Sequence, residues 1–314
     1  MNLQQLRYVA EVAHRGLNVT DAAEALHTSQ PGVSKQIRSL EQELGVEVFV
    51  RQGRRFVAIT DAGREVLAAI GRILAEVANL RSIGEEFAHH ARGTLAVGVT
   101  HTQARYALPP IVTEFKRRFP EVKLKLLQGN PQQLARMVAN GEADLAIATE
   151  ALMEQPELVT IPCYRWHHCV VVPERHPLAK SKPLTLEAIA AYPVVTYDPT
   201  FAGRTAVDKA FAARGLAPEI ALTALDSDVI KSYVTLGLGV GIISSRAFRK
   251  ASDEGLRALD CDHLFPAQTT RLAYKRGAYL RGYTIEFIRL IAPHVRGTDL
   301  KQLEQAAARE DFSI

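Results

Sequence analysis

Residues 22–37 read Ala22-Ala23-Glu24-Ala25-Leu26-His27-Thr28-Ser29-Gln30-Pro31-Gly32-Val33-Ser34-Lys35-Gln36-Ile37, an order that dictates a helix, a tight turn and a second helix. The small apolar run ends at Leu26 and the chain turns at His27-Thr28. Ser29 stands where an N-cap hydroxyl accepts from the first free N–H groups, and Pro31 falls in the first turn, where its missing N–H has no helical partner to lose. Val33, Ile37, Leu40 and Leu44 repeat at four, three and four, which predicts a buried stripe, and Gly45 suits a left-handed stop. Upstream, Leu3, Leu6, Val9, Ala10 and Ala13 predict a first helix that stops near Gly16. Asn18 caps the next, with Asp21 three positions on as a shorter stand-in for the capping-box Glu.

The opposite face of the third helix carries Gln30, Ser34, Lys35 and Arg38, all donors, at the end that a short turn presents. That is the helix-turn-helix arrangement, whose second helix enters a major groove and reads base edges while hydroxyls and N–H groups hold phosphates. Downstream, residues 46–50 and 56–59 alternate like two strands around Arg51-Gln52-Gly53-Arg54-Arg55, a basic wing whose tip faces phosphates. The expected DNA-contacting set is therefore Thr28, Ser29, Gln30, Pro31, Ser34, Lys35 and Arg38, with Arg51 and Arg54 from the wing. Against it stands a plainer reading, because short helices joined by a small-residue turn, and arginine-rich loops, also occur in proteins that never meet DNA.

From Asp61 onward, Val66, Ile70, Ile73, Val77, Leu80, Gly84 and Phe87 step four and three alternately, a heptad seam with Thr60 or Asp61 at its start. About 28 residues at 1.5 Å each give a rod about 42 Å long, which predicts a partner helix and hence paired heads on an inverted repeat. Residues 88–93, with His89 and His90, read as a hinge.

The 314 residues suit two or three cores, and 47% hydrophobic with 23% charged residues excludes a disordered chain. A net charge of +4 is too small to announce nucleic acid by itself, so any basic surface is local. Three cysteines, no basic-then-apolar leader and no apolar run near 18 residues predict a reducing, cytoplasmic location without membrane insertion. Cys163, His167 and Cys169 would share one face of a single strand, but a fourth metal ligand is missing, so no metal and no cofactor is expected. Gly237-Leu238-Gly239-Val240-Gly241 follows a helix instead of a strand, and neither a phosphate-loop lysine nor a Gly-x-Ser-x-Gly elbow occurs, so enzymatic activity is not expected.

The run from Ala22 to Ile37, then Leu40-Glu41-Gln42-Glu43-Leu44-Gly45 and Thr60-Asp61-Ala62-Gly63, resembles the N-terminal signature of LysR-type transcriptional regulators. After Gly93 the pattern becomes strands alternating with helices. Strands at 94–99, 122–128 and 143–149 flank helices at 108–119 and 131–140, a βαβαβ unit. A second set spans 167–244, a strand returns at 269–274, and an amphipathic helix runs over 283–295. The fold class is thus α/β with an N-terminal, all-α-rich winged helix-turn-helix and a linker helix. The rest resembles the two-lobed, type 2 periplasmic-binding-protein-like effector domain of the same family. The expected boundaries are 1–60 for the head and 61–91 for the linker; 92–161 with 268–296 for lobe I; 162–267 for lobe II; and 297–314 for a tail, in which Leu300, Leu303 and Ala307 suggest a short helix.

Residues 100–109, Gln128-Gly129-Asn130-Pro131, Gly141-Glu142-Ala143-Asp144 and Ile147-Ala148-Thr149-Glu150-Ala151-Leu152 narrow the resemblance to the CysB-like branch, which serves sulfur assimilation. The resemblance implies an effector site made by Thr100, Thr102, Gln103 and Thr149, facing the second-lobe loop Thr200-Phe201-Ala202-Gly203-Arg204. That branch usually reads Gly-Phe-Thr-Gly-Arg in this loop, so the hydroxyl at Ala202 is missing and Thr200 or Thr205 is a candidate substitute. Hydroxyls and helix-start N–H groups suit a small oxyanion. The implied partners are double-stranded promoter DNA, RNA polymerase, a second or fourth copy of the chain, and sulfate, thiosulfate, acetylserine or adenosine phosphosulfate, the last belonging to relatives that govern sulfonate use. The competing reading of a different class is a two-lobed small-molecule binder whose first sixty residues only mediate assembly.

Overall fold

A computed structural model describes residues 1–53, 55–88 and 92–295. Arg54 of the wing, His89 and His90 of the expected hinge and the tail at 297–314 lie outside the described residues. The chain divides into two compact units, Met1–Phe87 with Gly277–Tyr279, and the remainder.

The first unit is built by caps and one apolar core. Asn2 and Gln5 close a capping box on α1 (Leu3–His14). The Asn18 side chain accepts from Thr20 and Asp21 N–H groups at the head of α2 (Val19–Ala25), and Ser29 Oγ accepts from Gly32 N at the head of α3 (Gln30–Leu44). Gly45 ends α3 at φ +71, and His27 holds the intervening turn at φ +50. Leu6, Val9, Val33, Ile37 and Leu40 converge there, as their spacing predicts, joined by Val12 and Ala22, whereas Leu3 and Leu44 at the ends of the predicted stripes are exposed. The wing pairs β1 (Phe49–Gln52) with β2 (Arg55–Ile59), so both strands reach further into the arginine stretch than alternation predicts, and β1 also starts later. The linker α4 (Asp61–Ala88) is one helix of 28 residues, and Gly63 N donates to Thr60 Oγ1 at its start. Gly63 is needed there for space, because a Cβ would stand 2.1 Å from the Val48 carbonyl oxygen. The heptad seam splits: Ile70 is 2% exposed in the chain's own head core, with Val66 packed on it, whereas Ile73 and Leu80 are exposed.

The second unit holds two five-stranded sheets. Its first lobe runs β3 (Gly93–Val99), α5 (Leu108–Arg118), β4 (Val122–Gln128), α6 (Pro131–Ala139), β5 (Leu145–Ala148) and β6 (Leu158–Trp166). The chain then builds β7 (His168–Pro173), α7 (Leu186–Ala190), β8 (Val194–Tyr197), α8 (Ala202–Ala213), β9 (Ile220–Ala224), α9 (Ser227–Thr235), β10 (Val240–Ser244) and β11 (Leu256–Asp260) in the second lobe. It returns with β12 (Gln268–Lys275) and α10 (Gly282–Ile291). The sheet orders are β4-β3-β5-β12-β6 and β11-β7-β10-β8-β9. Parallel neighbours β3 and β5 are covered on both faces, so Leu145–Ala148 is an unbroken buried run without alternation. On one face, Phe115 of α5 meets Phe287 of α10 edge-on at 5.3 Å; on the other, Leu134 and Val138 of α6 pack on Ala146 and Ala148.

Candidate nucleic-acid interface and effector cleft

On α3 the physics of one amphipathic helix separates two jobs. Val33, Ile37 and Leu40 are fully buried, while Gln30, Pro31, Lys35 and Arg38 are exposed and Ser34 and Thr28 half-buried, so the expected base-reading residues share a free face. Arg51 is placed differently from a free wing tip. Its guanidinium pairs with the Glu41 carboxylate and lies 4.7 Å over the Phe56 ring. Glu41 itself is 7% exposed and also accepts from Val48 N and Phe49 N at 2.9 and 3.3 Å. One buried carboxylate thus ties α3 to β1, and Arg38 and Arg51 line one shallow groove of about 370 Å³.

In the second unit, strand register assembles the other site. Val99 pairs with Ile147, and Ala148 with Arg271, so Thr100, Thr149 and Thr270 stand side by side at one edge of the first sheet, each buried. Gln103 Nε2 donates to Thr270 Oγ1 at 3.3 Å, and the Tyr164 hydroxyl donates to Gln103 Oε1. Burial pushes the Tyr164 phenol up to about 12, so it stays a donor. Thr102 Oγ1 lies 3.3 Å from Ser227 Oγ of the second lobe, and Ser227 Oγ is 2.7 Å from the Tyr197 hydroxyl. Thr200 donates from N and Oγ1 to Asp198 Oδ1 and lines an open cleft of about 670 Å³ with Gln132, Glu154, Lys209 and Gln268; none of the first-lobe threonines lines it. Ala202 opens α8. The next residue, Gly203, sits in a tight place, since a Cβ there would lie 3.1 Å from Trp166 Cη2 and 3.2 Å from His168 Nε2.

Metal chemistry finds little support in these side chains. Cys163 belongs to β6 and Cys169 to β7, in different sheets, and burial pushes both thiols up to about 12. Among the described residues, His101, Asp226 and Asp228 bring ligand atoms within 4.8 Å of one another. Arg105 and Lys231 already pair with Asp228 at 2.9 and 3.2 Å, so the protein supplies the countercharge there.

Residues 3–64 match the bacterial regulatory helix-turn-helix protein model of the lysR family, and residues 88–296 match the LysR substrate binding domain. The chain belongs to the LysR family. It is similar to the HTH-type transcriptional regulators CysB and SsuR of Burkholderia cenocepacia, being 52% identical to the first over 99% of this chain and 98% of the relative, and 50% identical to the second over 98% and 100%. A crystal structure of the cofactor-binding domain of the Cbl transcriptional regulator superposes with TM-score 0.65 at 46% identity, covering 67% of this chain and 92% of that one. The protein is therefore a LysR-type DNA-binding regulator with an effector domain.

Several residues of this LysR regulator's candidate sites escape local reading. Thr270 and Tyr164 reach Gln103 only because β12 inserts between β5 and β6, and a register shift at Thr270/Arg271 sets Thr270 opposite Tyr164. Ser227 and Tyr197 come from the other lobe. Glu41 was visible in the signature run but carried no signal of burial, because its position falls next to the Leu40 stripe.

Proposed function

We propose that this regulator controls sulfur-assimilation genes, those for cysteine biosynthesis and for sulfate or thiosulfate uptake, through a small sulfur-related anion or acetylserine held between its lobes. The observation that carries the reading is the buried row Thr100, Thr149 and Thr270 with Gln103 across it, which presents hydroxyls and an amide at strand ends. Such groups bind an oxyanion by hydrogen bonds and leave an apolar ligand with unpaired buried donors. Whole-chain similarity to CysB supports the same branch. The base-reading set Gln30, Ser34, Lys35 and Arg38 engages promoter DNA in the cytoplasm, where the regulator acts with RNA polymerase. Paired copies, joined along the outer half of α4, place two heads on one inverted repeat; two such dimers make the tetramer.

Calorimetric titration of the full chain with sulfate, thiosulfate, acetylserine and adenosine phosphosulfate tests this reading. Saturable binding of acetylserine or a simple sulfur anion is expected, and Ala202→Thr, which adds a hydroxyl at the start of α8, tightens it. Binding of adenosine phosphosulfate alone transfers the protein to a second reading, a regulator of alkanesulfonate and organosulfur use, which its likeness to SsuR and Cbl favours. Binding of none of the four removes both.

A further inference from the structure

We infer that Tyr106 is a positioning residue of the effector cleft, fixing the second lobe against the first through the one helical turn that it shares with Gln103. The inference rests on reading the Thr100–Gln103 region as the effector site. Residues Gln103–Ala107 form a π-helical turn. In an α-helix, residues three apart share a face, whereas the wider i→i+5 turn rotates them apart. Gln103 accordingly binds Thr270 and Tyr164 within the first lobe, while Tyr106 packs against a core cluster of the second lobe that includes Val171, Val195 and Ile230.

The socket that receives Tyr106 is also held together by bonds within the second lobe. Lys231 is 5% exposed and is held by Asp253 Oδ1 at 2.8 Å and the Ala247 carbonyl at 2.9 Å. Burial works against its charge, yet these bonds, with those to Tyr106 and Asp228, keep its pKa above the usual lysine range. The Tyr106 hydroxyl donates to Asp228 Oδ1 at 2.6 Å and accepts from Lys231 Nζ at 2.8 Å. Arg249 Nη2 donates to the Tyr106 carbonyl at 3.3 Å, and Arg249 and Lys231 each stand 5.2 Å from the ring centroid. Arg105, from the same turn, pairs with Asp228. The bonds of Tyr106 and Arg105 join the lobes, and they leave from a turn whose first residue is an effector residue. A ligand that orders Gln103 orders Tyr106 with it, and a loosened Tyr106 lowers the fraction of molecules whose cleft is ready for ligand.

The test compares the full-length chain with its Tyr106→Phe variant, which keeps the ring and loses only the oxygen. Sulfate is titrated calorimetrically, and hydrogen exchange is followed by peptide in both proteins without ligand. The variant is expected to bind sulfate about tenfold more weakly, the scale of one lost hydrogen bond. Exchange is expected to quicken in Gln103–Ala107 and Ser227–Thr235 while β3 and β10 stay as protected as in the unmodified chain. Faster exchange with unchanged sulfate affinity would show a packing contact without coupling and overturn the inference; so would unchanged exchange. If the unmodified chain binds no sulfate, the effector reading fails for that anion and the coupling falls with it; faster exchange in both segments then shows only a packing contact between the lobes.

Discussion

His168 is 1% exposed, with its ring 5.0 Å from Trp166 and 5.4 Å from Phe265 between centroids. Burial lowers its pKa from the ordinary 6.5 to about 4, so it is neutral in the folded chain. As pH falls the unfolded chain takes up this proton first. The stability that the residue contributes is complete above the unfolded value, declines between pH 6.5 and 4, and is gone once pH passes through the folded value. Thermal unfolding at pH 7 and 4.5 should show the native protein losing on the order of 2 kcal/mol more than a His168→Gln variant. Equal losses would mean that His168 titrates as if exposed. At this scale the sequence is legible where chemistry is local: Asn18, Ser29 and Gly45 act on groups within four residues of themselves. Thr270 could not be named from its neighbours, because its partner Gln103 lies 167 positions away.

Between elements, the Glu41–Arg51 pair is the tie that sets the wing on the recognition helix, with Phe49 and Phe56 stacked at 4.7 Å beneath it. Arg51→Ala leaves a nearly buried carboxylate with only its two backbone donors, at a cost of about 2 kcal/mol in unfolding free energy. Because the guanidinium is engaged inside the domain, the salt dependence of promoter binding should keep its slope. A slope flatter by about one unit would instead place Arg51 on a phosphate. The longer helices were readable from periodicity and caps, and so were the strands with dense apolar runs; the five-residue α7 was too short to show a period. The edge strand β11 was not, since Leu256-Arg257-Ala258-Leu259-Asp260 mixes charge into a pattern that only its pairing with β7 organises. Nor was β6, whose nine residues contain Pro162 opposite the register shift in β12.

For the molecule as a whole, α4 divides its apolar residues between two duties. Val66 and Ile70 complete the head, while Ile73 at 40% and Leu80 at 68% exposure remain on the seam. Ile73→Arg with Leu80→Arg should therefore leave the head folded and convert the assembly to monomers in sedimentation, with promoter affinity reduced at least tenfold; an unchanged sedimentation coefficient would place the interface elsewhere. The heptad was legible, but which of its positions serve the chain itself depends on where the winged core ends. The sheet order carries one more consequence, for the making of the chain. Among the described residues β6 pairs with β12 alone, and the whole of β7–β11 is translated between them. On the ribosome the second lobe has all its strands before the first can close, so β6 waits with a bare edge through about a hundred residues of synthesis. A nascent chain stalled before Gln268 would present that edge to its neighbours, which makes the stretch just ahead of β12 the interval in which this protein most needs a chaperone.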